Sequence, residues 1–159
     1  MIKNARCPVG IVRSAPVTDA GSMGEPALVG VGGTRRCLPA VLLAFEEASR
    51  REVELIALHA WSDTRGANLV PSCDAVRVED AALAESPAGF GERSPEVSVR
   101  RISVHDSPVR CLTGEARNAQ LLVVGGSKGN RKGVTGVLPC PITSALVNPV
   151  DCPIIVART

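Results

Sequence analysis

The sequence predicts an α/β protein: an open five-stranded parallel sheet with helices on both faces. Three observations carry this. Apolar runs at Ala27–Val31 (ALVGV), 53–60 (VELIALHA), 121–124 (LLVV) and 154–157 (IIVA) are nearly continuous, as in parallel strands covered on both sides. Segments with helical spacing or helix-starting residues lie between the strands, giving the pattern β-α-β-α-β-α-β-α-β. Two glycine turns, 32–34 and 125–129, each follow a strand directly, at the end of the sheet where ligands of such folds lie.

Taken in order, residues 1–13 end in Cys7-Pro8-Val9-Gly10-Ile11-Val12-Arg13, a pattern that returns at the other end as Cys152-Pro153-Ile154-Ile155-Val156-Ala157-Arg158. Each copy reads as a short strand entered by proline. Residues 1–13 are therefore expected to be the last strand of a preceding domain, residues 14–26 (SAPVTDAGSMGEP) a linker, and residues 27–159 the domain proper.

Its first strand is Ala27–Val31, and Thr34 is placed to cap a helix whose apolar face is Leu38, Val41, Leu42, Phe45 and Ala48. Pro39 fits only the first turn of that helix, and Arg50 and Arg51 suit its negative end. After the strand at 53–60, residues 62–75 lack periodicity. Residues 75–85 read as a helix with Val76, Ala82 and Leu83 inward, ended by Ser86-Pro87-Ala88-Gly89. The alternating run 97–104 (VSVRRISV) has the look of an edge strand guarded by arginines. Ser107-Pro108 starts the next helix by cap and N1 proline, with Val109, Leu112 and Ala116 as its core side and an end near Asn118. A helix over 142–148 precedes the final strand.

Composition bounds the function. A chain of 159 residues with 45% hydrophobic and 21% charged residues is long enough for one domain burying roughly 68–70% of its unfolded surface. A net charge of +2 and 2% aromatic residues without tyrosine give neither a basic footprint nor a stacking platform, so nucleic acid is not an expected partner. No apolar run approaches the roughly 20 residues of a membrane helix, and MIKNARCPVG lacks the apolar core of a signal peptide. The six cysteines form no C-x-x-C pair, which argues against a zinc knuckle or a redox couple. A cytoplasmic protein with reduced thiols and no metal is expected.

Residues 121–158 concentrate the chemistry. Gly125, Gly126, Gly129, Gly133 and Gly136 punctuate a loop carrying Lys128, Arg131 and Lys132, between a strand and a helix. Backbone N–H groups in such a loop can converge on phosphate.

With LVGVGGT, EEASRREVELIALHAWSD, SPVRCLTGEARNAQLLVVGGSKG and CPIIVAR together, residues 27–158 resemble a universal stress protein domain. The tandem members from actinobacteria are especially similar. The resemblance implies a Rossmann-like five-stranded parallel sheet in the order 3-2-1-4-5, with dimers formed through the last strand, or pairing of two tandem halves through those strands. The partner expected here is thus a second copy, or another domain of the same type, joined through 154–157 and/or 9–12.

The resemblance also implies an ATP site in many members, built from an aspartate ending the first strand and a G-x-x-G-(nine residues)-G-[S/T] loop. Gly126 and Gly129 match the first two glycines, and Ala60 falls where a residue lies against the adenine. The aspartate position is Gly32, followed by Gly33, and the terminal Gly-Ser step becomes Cys140-Pro141 or Pro139-Cys140. Nucleotide-binding candidates, if the site is retained, are Gly32, Gly33, Ala60, Gly126, Gly129 and Cys140. The expectation is a degenerate site with no resident cofactor, in a non-enzymatic regulatory or dimerising module of the stress response. The alternative is an ATP-binding member with little or no hydrolysis, and a further alternative is a thiol-reactive protein using Cys140.

The other polar candidates have structural explanations. His59 ends a strand inside an apolar run and reads as a packed or rim histidine. His105, Asp106 and Ser107 read as helix capping rather than as a hydrolytic trio. Trp61 reads as packing or as a neighbour of the adenine pocket.

Overall fold

The computed structural model describes residues 7–12, 24–32, 37–61, 95–128, 137–138 and 141–157. The strands are β1 (Val9–Ile11), β2 (Ala27–Val31), β3 (Leu55–Trp61), β4 (Val99–His105), β5 (Leu121–Gly125), β6 (Ser127–Lys128), β7 (Val137–Leu138) and β8 (Ile154–Ala157). The helices are α1 (Leu38–Arg51), α2 (Pro108–Glu115), continued by a tight turn over Ala116–Asn118, and α3 (Pro141–Leu146). The helix expected over 75–85 and the cap expected at Thr34 lie outside the described residues.

Five parallel strands run β4-β3-β2-β5-β8, which is the order 3-2-1-4-5 counted within the domain. The expected strand count is corrected by one. β1 adds a sixth strand, antiparallel to β8, with Val9 opposite Val156, Gly10 opposite Ile155 and Ile11 opposite Ile154. Separately, β6 and β7 pair antiparallel, Ser127 with Leu138 and Lys128 with Val137, so the two arms of the glycine loop lie side by side.

The sheet is covered on both faces because its strands are apolar on both. Ala27, Val29, Leu55, Ala57, Leu121, Val123 and Ala157 point to α1 and share one cluster with it. Leu28, Ile56, Leu58, Leu122, Val124, Ile154 and Val156 share the other with Leu112, Ala116 and Leu146. The inward face of α1 differs from the expected one. Ala40, Val41, Ala44, Phe45 and Ala48 are buried, whereas Leu38 and Leu42 are 40% and 38% exposed. Three small alanines let the helix axis approach the sheet closely, and that outweighs the extra area of the two leucines.

Helix ends also differ in detail. α1 stops at Glu52, whose left-handed backbone (φ 54°) lets its N–H bond the carbonyls of Ala48 and Ser49. Ser107 sits at the N-cap of α2 but makes no side-chain cap bond. The Asp106 carboxylate accepts the Ser107 N–H instead, at 2.6 Å.

Candidate functional site

The carboxyl ends of β2, β3, β5 and β8 bring together Gly32, His59, Ala60, Gly126 and Ala157. By period-two alternation Gly32 follows Leu28 and Gly30, Ala60 follows Ile56 and Leu58, and Gly126 follows Leu122 and Val124. All three candidates thus fall on the face that carries α2 and α3. Gly33, Gly129, Cys140, Arg131 and Lys132 lie outside the described residues.

What the backbone does at this end matters more than the glycine pattern. The Gly32 N–H donates to Cys37 Sγ at 3.1 Å, and the Cys37 thiol donates back to the Gly32 carbonyl at 2.9 Å. One thiol therefore engages both polar groups of the residue that stands where a carboxylate is expected. A Cβ built on Gly32 would meet Cys37 Sγ at 3.4 Å, an ordinary contact. Cys37 sits at the N-cap of α1 and makes no cap bond to that helix. Its sulfur, a weak donor and acceptor, faces back along the chain.

Gly126 is engaged as well. Its N–H donates to the Ala157 carbonyl at 2.7 Å, and Gly126 is buried. The first glycine of the expected phosphate loop thus has its amide tied to the neighbouring strand. Beside it, Thr143 of α3 is 2% exposed and donates its hydroxyl to the Gly125 carbonyl at 3.2 Å. This fastens α3 to the end of β5.

His59 is half-buried with Nδ1 3.0 Å from the Val31 carbonyl, which assigns a proton to that nitrogen and makes the ring a bridge between β3 and β2. Ala60 is half-buried against the α2 side of the core. At the end of β4, Asp106 also pairs with Arg110 one turn into α2. The Arg110 guanidinium, then the Ser107 amide, hold the Asp106 carboxyl below its usual range. Asp106 thus organises the start of α2.

A shallow cleft of about 450 Å³ lies at the opposite end of the sheet, lined by Ser49, Glu52, Glu54 and Glu96 beside Ala48, Val53 and Val97. Its carboxylates and the negative end of α1 would repel a polyphosphate. The Ser49 hydroxyl donates to Glu96 at 2.6 Å and holds that carboxyl low. Among the described residues no group of three His, Cys, Asp or Glu side chains could hold a metal ion, and no helix is long and apolar enough to cross a membrane. Among the described residues Cys7, Cys37, Cys111 and Cys152 form no disulfide, and burial pushes the Cys152 thiol up to about 11.

Cys37 and Thr143 are the two residues that sequence reasoning missed here. Cys37 stands directly before the Leu38-Pro39 helix entry, a cap position with an unusual occupant. Thr143 has no sequence signal beyond a hydroxyl in a first turn.

Comparisons with known proteins agree with this architecture. Residues 23–158 match the family model described as the universal stress protein family. A universal stress protein of Mycobacterium tuberculosis is 42% identical over 161 aligned positions, covering 99% of this chain and 54% of that protein. A second from the same organism is 39% identical, covering 99% and 53%. The chain thus spans about half the length of the curated relatives it matches. Among solved structures, a universal stress protein in complex with cAMP aligns with TM-score 0.60 at 18% identity, covering 87% of this chain and 99% of that one. The Archaeoglobus fulgidus protein in complex with dAMP aligns with TM-score 0.57 at 16% identity, covering 85% and 98%.

Proposed function

Because this chain belongs to the universal stress protein family, we propose that it is a non-enzymatic regulatory module of that family. In this proposal its nucleotide end is closed by its own chain, and it acts by pairing through its sheet edge. The observation that carries the proposal is the Gly32–Cys37 contact. Where a carboxylate would orient a nucleotide, a thiol satisfies the backbone N–H and the carbonyl at once. The Gly126 amide, held by Ala157, supports it from the other side of the sheet switch. Each hydrogen bond to a charged group is worth roughly 1.5–3 kcal/mol. Losing the aspartate and two loop donors removes about 4 kcal/mol or more, on the order of a thousandfold in affinity.

The second reading is ATP binding with little turnover. It is favoured by the placement of Gly32, Ala60 and Gly126 at one end and on one face, and by structural neighbours that hold cAMP and dAMP. Calorimetric titration of the full chain with ATP separates the two. The proposal expects no saturable heat below millimolar ATP. A micromolar dissociation constant would overturn it and establish the second reading.

A further inference from the structure

β2 outruns one of its two neighbours. Its ladder with β5 ends at Val29 opposite Val123, whereas its ladder with β3 continues to Val31 opposite His59. β2 and β5 thus stop pairing at the carboxyl end, where the strand order reverses and ligands of such sheets lie. Gly32 comes next, and one atom engages both of its backbone polar groups. Cys37 Sγ accepts from the Gly32 N–H at 3.1 Å, and the same thiol donates to the Gly32 carbonyl at 2.9 Å. Among the described residues, and apart from the chain neighbours of Gly32, a Cβ at this glycine would meet only that sulfur within 4 Å. The position is filled from the entry of α1, by a thiol that makes no cap bond to its own helix.

The pair of bonds identifies what could take the place of the sulfur. A replacement must donate and accept at a single atom. Charged phosphate oxygens and the ring nitrogens of adenine only accept, and the amino group of adenine donates. Within such a nucleotide, a sugar hydroxyl does both at one oxygen. Sulfur is a weak donor and a weak acceptor, so a hydroxyl would make both bonds at greater strength.

We propose that the Cys37 thiol is a displaceable, autoinhibitory latch that occupies the place of a ligand hydroxyl at Gly32, and that a ribonucleotide binds only by expelling it. Latch and ligand compete for the same two backbone groups. The ligand's apparent affinity is therefore lowered by the fraction of molecules that are latched, and removing the thiol restores it. A ligand without the hydroxyl gains nothing from that removal. This names the regulation of the end that the proposed function takes to be closed, and it rests on that reading.

Titration of the full chain with ATP, followed by the NMR shift of the Gly32 amide, tests it. Cys37→Ala deletes both bonds, and Cys37→Gly is a second deletion variant whose residue is well tolerated at an N-cap. Cys37→Ser keeps a donor and an acceptor at the position. At least one folded deletion variant is expected to bind ATP roughly tenfold or more tighter than wild type, with Cys37→Ser closer to wild type. With 2′,3′-dideoxy-ATP, which lacks both sugar hydroxyls, the deletion should bring no gain. Equal ATP affinity of wild type and the folded deletion variants would overturn the latch, and so would an equal gain with the dideoxy nucleotide. A micromolar dissociation constant in wild type would instead sink the proposed closure. The latch is read from the ratio of variant to wild type, so the two failures are distinguishable.

Discussion

Gly30 lies within β2 on the face covered by α2, and a Cβ there would come within 3.2 Å of Leu112 Cδ1 and 3.5 Å of Val124 Cγ1. Leu112 is 4% exposed and has little freedom to retreat. Gly30→Ala is therefore expected to cost roughly 1–3 kcal/mol through overpacking, read as a lower urea midpoint at unchanged slope. Asp106 makes a prediction of a different kind. Its carboxyl is held below the ordinary 3.8 by Arg110 first and by the Ser107 amide second. The charged form is thus favoured in the folded state, so the contribution is fully present above the unfolded value. It is lost as pH falls through the lower folded value, in a window below about pH 4. An NMR titration should place Asp106 below the ordinary aspartate value, and Arg110→Ala should move it back up. An Asp106 that titrates normally in the native chain would remove Arg110 as the cause.

At the scale of elements, α1 discriminates best between pattern and packing. Apolar spacing alone cannot rank Leu38 and Leu42 against Ala40 and Ala44, because the two pairs flank the shared face of Val41, Phe45 and Ala48 on opposite sides and either can complete an apolar stripe. Close approach to the sheet selects the alanines, both 0% exposed. Ala44→Leu is then expected to destabilise by roughly 1–3 kcal/mol, because the helix would have to lift from β2 and β5. Leu42→Lys should cost about 1 kcal/mol or less, since more than a third of Leu42 is already in water. The reverse ranking in urea denaturation would show that α1 faces the sheet as its leucines suggest. The same distinction explains what was legible in advance. Strands, their parallel direction and the edge character of Arg100 and Arg101 follow from hydropathy period and connection rules, which are local or topological, while the strand order was legible only through the family resemblance. The left-handed end at Glu52 and the Asp106 cap in place of Ser107 are choices between near-equal local options. The Cys37–Gly32 contact turns on the path between residues 32 and 37, which no periodicity records. Glycine spacing made residues 126 and 129 visible as site candidates, but the partner of the Gly126 amide depends on the neighbouring strand.

For the whole molecule, the sheet order sets where stability should reside. β2 is paired on both sides, by β3 and β5, and β5 is paired by β2 and β8. These two central strands also contribute Ala27, Leu28, Val29, Leu121, Leu122 and Val123, each at most 1% exposed, so opening them requires dismantling both core clusters. β4 has a single described neighbour, and of its seven residues only Ile102 and Val104 are half-buried, the rest being exposed. β1 is the weakest member, with three residues, one partner and a central glycine. Opening free energies in a domain range from near zero at such margins up to the global value at the centre. Native-state hydrogen exchange should therefore rank β2 and β5 as slowest, with β1 amides exchanging at least about tenfold faster than those of β5. The β8 amides carry the sharper information. Those facing β5 should share the slow exchange of the sheet centre, whereas those facing β1 should exchange with β1 itself, since its departure is what exposes them. If the outward β8 amides were as slow as the inward ones, β1 would be an integral strand and the edge of β8 would be closed for as long as the chain is folded.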